Sequence, residues 1–164
     1  MVDFETLYLA FFDKIEKDKD FFNYNNVTIA YALDVAKMRS KRYLKEALAT
    51  ISLKCTPDKC GKNFIDFDET NEVLNYDLLY TEIDMIASVM YEKYLFREFS
   101  KLKARANRFT TKDLKAYSPA NERNSFTAMY QVLRKENELL FDAYNSIDHT
   151  TGNTLTLDYS SIEE

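Results

Sequence analysis

The residues best equipped for chemistry in this 164-residue chain are few and scattered. His149 is the only histidine, and it follows Asp148 in a polar stretch near the C-terminus. A nucleophilic triad needs its histidine held rigidly by a third group. A polar tail is a poor support for that, so catalysis by His149 is not expected. Cys55 and Cys60 flank Thr-Pro-Asp-Lys, with Gly61 next, which resembles half of a zinc knuckle. Structural zinc takes four ligands, usually from two such pairs. The chain has no second pair, so the expectation is a surface loop without metal. Residues 66–72 place oxygens at alternate positions, as a calcium loop does. However, Asn71 stands where the turn glycine belongs and Asp77 where the bidentate glutamate belongs. The match reads as chance. With two glycines and two prolines in all, there is no room for a glycine-rich phosphate loop. No catalytic, cofactor-binding or metal-ligating residue is assigned.

What remains is a chain built to form helices. Phe4, Leu7, Phe11 and Ile15 step along one face of a first helix expected over Asp3–Lys17, with Asp3 as its cap. A second helix is expected from Val27 to Leu53. Its seam is Leu33, Ala36, Ser40, Tyr43, Leu44, Ala47 and Ile51, and the small residues allow close approach of another helix. Residues 54–76 read as the longest connection, with Phe64–Asp68 as a candidate edge strand. A third helix starts between Asp77 and Thr81 and runs to Ala106, carrying Ile83, Ile86, Ala87, Met90, Tyr91, Tyr94, Leu95 and Leu102 on its face. Thr110 and Asp113 suggest a short capped turn. Ser118 and Pro119 then open a last helix with Phe126, Met129, Tyr130, Leu133, Leu140, Phe141 and Tyr144 at helical spacing. The fold class is all-α: a bundle of three to four long helices over residues 1–145, a long loop, and an extended acidic tail over residues 146–164. Twelve Phe and twelve Tyr are expected to fill the core and its boundary.

Charge is unevenly spread. Residues 136–164 hold seven acids and no base, whereas residues 1–135 hold 22 bases and 20 acids. Asp66, Asp68, Glu69, Glu72, Asp77, Glu82 and Asp84 form an acidic block. Lys37, Arg39, Lys41, Arg42 and Lys45 make a basic run, and Lys93 to Lys115 make another. One reading is mutual neutralisation within the chain. The other is complementarity between copies, in which acid on one subunit meets Lys101, Lys103 and Arg105 on the next and head-to-tail contacts close a ring. The acidic balance and the absence of a helix-turn-helix glycine turn argue against sequence-specific DNA binding.

The last interface candidate is the tail. Leu155, Leu157 and Tyr159 alternate with Thr156 and Asp158, a pattern that suits a strand added to a partner's sheet edge. Leu155, Leu157, Asp158 and Tyr159 are therefore expected interface residues. No apolar run approaches the length of a membrane span, and the acidic start Met1-Val2-Asp3-Phe4-Glu5 does not read as a secretion signal. The chain is expected to stay in the compartment where it is made.

The order of elements, and the texture of Leu33-Asp34-Val35-Ala36-Lys37-Met38-Arg39-Ser40-Lys41-Arg42-Tyr43-Leu44, Met90-Tyr91-Glu92-Lys93-Tyr94-Leu95 and Ser118-Pro119-Ala120-Asn121-Glu122-Arg123, resemble head–tail adaptor (connector, head-completion) proteins of tailed phages. That resemblance implies a non-enzymatic virion protein of the neck, assembled in the host cytoplasm as a dodecameric ring beneath the portal protein. DNA would pass through the ring without sequence-specific contact. A C-terminal segment, here about Ser146 to Tyr159, would dock on the next neck or tail-completion protein. The Cys55–Cys60 loop and the chain's length depart from the simplest members. The alternative is a monomeric cytosolic regulator that binds a host or phage protein.

Overall fold

The computed structural model describes residues 1–15, 19–22, 27–55, 57–106, 119–149 and 151–154; for residues 19, 20, 58, 59, 102–106 and 119–123 it describes the backbone alone. Most of these residues are helical. Three long helices dominate: α3 (Ile29–Lys54), α5 (Tyr80–Ala106) and α6 (Pro119–Asn145). Shorter helices are α1 (Phe4–Lys14), α2 (Lys19–Phe22) and α4 (Pro57–Cys60). The third helix begins and ends within its expected bounds, and the last begins at Pro119, whose fixed φ and missing N–H suit a first helical position. The expected turn at Thr110–Asp113 lies outside the described residues.

The helices pack around α5. It lies against α1, α3 and α6, which is why Met85, Ile86, Ala87, Val89, Met90, Tyr94 and Leu95 are all buried. Arg39 meets Glu98, and Tyr43 meets Tyr94, so α3 runs antiparallel to α5. Phe96 meets Tyr130, and Ser88 meets Asn137, so α6 is antiparallel to α5 as well. Where α1, α2, α3 and α5 converge, Phe11, Phe21, Tyr43 and Tyr94 touch edge-on or tilted, with centroids 5.4–6.2 Å apart. Such pairs add about 0.5–1.5 kcal/mol each beyond the apolar area they bury.

Four expectations are corrected. First, the mostly helical fold, compatible with the expected all-α bundle, also carries short strands. Val2–Asp3 (β1), Phe67–Asp68 (β2) and Val73–Leu74 (β3) form a small antiparallel sheet in the order β1-β3-β2. The expected edge strand is thus shorter than Phe64–Asp68, and the long connection is largely ordered as a hairpin. Second, Asp3 precedes α1 in extended conformation but makes no side-chain cap bond; its backbone pairs with Val73. The first helix therefore starts at Phe4, and it ends at Lys14 rather than Lys17. Third, Leu33 leaves the α3 seam for solvent, while Leu48 joins Ala36, Ser40, Tyr43, Leu44, Ala47 and Ile51 in the core. The described helix starts at Ile29, capped by the Thr28 side chain. Fourth, Cys55 and Cys60 are not on a surface loop: each is 1% exposed, and both belong to the apolar core.

Candidate protein-binding surface

The groups capable of chemistry converge at one end of the bundle, and they are occupied with one another. Glu82, on the first turn of α5, is fully buried. Its carboxylate accepts from Lys62 Nζ on both oxygens (2.7 and 2.6 Å), from the Tyr144 hydroxyl (2.6 Å) and from the Leu79 backbone N–H (2.6 Å). The last bond is half of a capping box, in which a third-position glutamate reaches back to the cap residue. Leu79 has no side-chain oxygen to complete it. A carboxylate at a helix N-terminus also meets the positive end of the dipole. Burial pushes Glu82 towards protonation. The bonds from Lys62, Tyr144 and Leu79, with the Lys62 charge, overcome that and hold its carboxyl below the ordinary value.

The same node gathers the residues singled out by type. Tyr144 is pushed well above the usual phenol range by burial and by Glu82. His149 stacks on the Tyr144 ring with centroids 3.9 Å apart, and its Nε2 lies 2.8 Å from the Tyr144 carbonyl. It is held by protein contacts after all, but against a tyrosine whose hydroxyl is already committed. Cys55 is pushed up to about 12 by burial and by Cys60, which keeps it a neutral thiol and a poor nucleophile. Cys60 Sγ lies 3.8 Å from Asn145 Oδ1, and Asn145 donates to the Lys54 carbonyl. These contacts fasten the C-terminal ends of α3 and α6 together. Among the described residues, no group of three or more His, Cys, Asp or Glu is arranged to hold a metal ion. No helix among them is long and apolar enough to cross a membrane.

The calcium-like spacing also has a structural explanation. Asp68 accepts from the backbone N–H groups of Thr70 and Asn71 and from the Asn71 side chain. It closes the hairpin between β2 and β3 as an Asx turn, and Glu72 takes a positive φ of 54° there.

Charge is spent within the chain. Lys37, Lys41 and Lys45 stand one turn apart on α3 and pair with Glu5, Glu72 and Glu69 at 2.5–2.6 Å. Lys14 pairs with Asp84, and Arg39 approaches Glu98. Within the acidic block, Glu69 and Glu72 therefore lie against α3, and Glu82 and Asp84 pair with Lys62 and Lys14 of the same chain. Lys101 is exposed and pairs with Glu98 one turn earlier on α5. Lys103 and Arg105 lie on the last turns of α5, with their side chains outside the described atoms. Leu155, Leu157, Asp158 and Tyr159 lie outside the described residues. The tail before them folds back, with Ile147 bridged to Thr154 and Gly152 turning at φ 73°.

At the opposite end, burial among the described side chains stops before the helices do. The first fully buried residue of α3 is Ala36; Ile29 is 89% exposed, and Tyr31, Leu33 and Met38 are also exposed. On α5 no described side chain beyond Leu95 is buried, and Phe96 is exposed. On α6 no described side chain before Leu133 is buried, and Met129 and Val132 are exposed. The antiparallel pairings put these three overhangs at the same end of the bundle, with α3 and α6 each packed on α5. Exposed apolar residues occur near the node too (Leu53, Leu79, Tyr80), but there they stand beside filled core. Sequence reasoning missed the overhang because it assigned Leu33 and Met129 to buried seams. Their positions beyond the last buried turn were the available signal.

Compared with models of known protein families, with curated proteins and with solved structures, the chain matches none.

Proposed function

We propose that this chain is a non-enzymatic adaptor that works by binding other proteins through the overhanging end of its bundle. One observation carries the reading: polar groups fit for chemistry are consumed in a buried node, while large apolar side chains are left in water on three helices at the opposite end of the bundle. Apolar and aromatic residues exposed together are what a partner's surface can desolvate. The particular assembly we propose is the neck of a tailed phage, where the chain would form a dodecameric ring between the portal protein and the next neck or tail-completion protein, with Leu155, Leu157, Asp158 and Tyr159 as the docking strand. The element order and the quoted segments support it.

A specific observation favours the rival reading, a monomeric cytosolic regulator. The pairing of Lys37, Lys41 and Lys45 with acids of their own chain leaves fewer opposite charges for a head-to-tail ring. Mixing the full chain with assembled portal rings, followed by electron microscopy and sedimentation, separates the two. An added ring layer on the portal supports the adaptor. A chain that stays unbound at saturating portal concentration removes the neck assignment.

A further inference from the structure

Helix α6 carries two apolar faces, and the fold uses one. Phe126, Tyr130, Leu133, Asn137, Phe141 and Tyr144 turn towards the body of the protein; among them Leu133, Asn137 and Phe141 are buried. Met129, Val132, Glu136, Leu139 and Ala143 recur at intervals of three and four, which is the seam spacing of a coiled coil. At 3.6 residues per turn this second row lies roughly 120° around the helix from the first. All five are exposed, Val132 at 58% and Leu139 at 60%. The remaining sector is polar: Gln131, Arg134, Lys135, Glu138 and Asp142. A helix needing only to cover α5 would be polar over the whole outer surface.

We propose that this second face is a self-association seam, occupied by α6 of a second copy of this chain running antiparallel. Charge chooses the occupant and the direction. A parallel, in-register pair would set Glu136 against Glu136 of the other copy in the seam, where like charges are costly. An antiparallel pair whose two-fold axis passes between Asn137 and Glu138 sets Glu136 beside Leu139 and Val132 beside Ala143. In that register Lys135 of each copy faces Asp142 of the other, giving two reciprocal ion pairs along the flank. Both residues are exposed, and the ion pair found on this stretch of α6 is instead Arg134 with Glu138. The contact is isologous, so it closes at two copies. It is distinct from a head-to-tail ring contact and does not depend on the adaptor reading.

Sedimentation equilibrium of the full chain tests this over about 1 µM to about 1 mM, the range of weak to moderate affinities. The wild-type chain should dimerise. Leu139→Glu should lower the association constant at least about tenfold, because it removes apolar surface from the seam and sets a carboxylate beside Glu136 of the other copy, with helical circular dichroism unchanged because the residue is exposed. Lys135→Glu and Asp142→Lys should each weaken the dimer about threefold to tenfold, and the double variant should recover it. A chain that stays monomeric throughout overturns the proposal. So does a dimer indifferent to both Leu139→Glu and Val132→Glu, which would place the contact elsewhere. A dimer weakened by Leu139→Glu whose Lys135→Glu/Asp142→Lys double variant does not recover the affinity lost in the two single charge variants overturns the antiparallel register.

Discussion

The two ends of the bundle solve opposite problems. At the node end, α3 is buried through Ile51, α5 from Glu82 and α6 to Phe141. Polar groups there are met by other protein groups: the buried Glu82 by Lys62, Tyr144 and Leu79, and the half-buried Asn145 by Lys54 and Cys60. At the overhanging end no described side chain of α3 before Ala36, of α5 beyond Leu95 or of α6 before Leu133 is buried, and Ile29, Phe96 and Val132 are exposed. Unmet buried polar groups cost stability, whereas exposed apolar groups cost little in a monomer and are available to a partner. The buried body and its node therefore carry the fold's stability, and on the proposed reading the overhang carries its binding. Substitutions at the two ends should separate these properties.

The largest expected effect is at Glu82. Glu82→Ala removes the acceptor shared by three donors and leaves the half-buried Tyr144 hydroxyl and the Leu79 N–H without it. Breaking a buried pair on one side costs about 3–5 kcal/mol; Lys62, partly exposed, can turn to water, so the lower part of that range is expected. Urea unfolding should show the loss as a lower midpoint with an unchanged slope. A loss below about 1 kcal/mol would mean that the node does not hold this end together.

Acid should act through the same group. Glu82 sits below its ordinary value of 4.5 in the folded chain, so the unfolded state binds its proton more readily. The stabilisation this confers is complete above the unfolded value and is lost as pH falls through the folded one. Asp68 and Glu69 are shifted the same way, Asp68 by bonds from Asn71 and Thr70 and Glu69 by Lys45. Unfolding free energy should therefore drop as pH falls below about 4.5. Glu82→Gln should be less stable at neutral pH and show a shallower drop. Equal slopes for the two proteins would remove Glu82 from the acid response.

His149 offers a smaller test of how far the node extends. Stacked aromatic pairs are worth about 0.5–1.5 kcal/mol, so His149→Ala should lower stability by about that much. Truncation after Thr154 keeps the stack and the Ile147–Thr154 bridge, and should leave the melting temperature nearly unchanged. If the alanine variant melts like the parent, the fold of the tail ends at Asn145.

The long helices were legible in the sequence because periodicity is a local signal repeated over many turns. Ile86, Met90, Tyr94 and Ala36, Tyr43, Ala47 announce their faces, and Pro119 marks a start. The small sheet was not legible, because Val2–Asp3 and Val73–Leu74 are too short to show a period of two. Their pairing joins residues about seventy positions apart. The node was hidden for the same reason: Glu82 meets Lys62 and Tyr144 across intervals of 20 and 62 residues. Both charge blocks were visible, but their partners were not. The spacing of Lys37, Lys41 and Lys45 shows that they share a row; only the hairpin's position shows that Glu69 and Glu72 come back to meet it. The interface residues expected at Leu155, Leu157, Asp158 and Tyr159 lie outside what the structure describes, so they remain part of the proposal.

The smallest expected change in stability is at the overhang, and it bears most directly on the contrast between the ends. Ile29 is 89% exposed, on the first turn of α3, seven residues before Ala36 becomes buried. Tyr31 is exposed, and its backbone N–H, not its ring, bonds to the Thr28 cap. Replacing both with serine removes apolar surface that touches little of the core. Surface changes of this kind usually stay within about 0.5 kcal/mol. Serine also keeps the charge, so any change in binding reports lost contact rather than altered steering. The double variant should melt with the parent and, on the proposed adaptor reading, bind the portal ring at least about tenfold more weakly if these residues are anchors. Equal melting with undiminished assembly would show that partners dock elsewhere, leaving the exposed face of α6 as the better place to look. A marked loss of stability would instead show that the first turns of α3 are supported from below, and that the two ends differ less than their burial suggests.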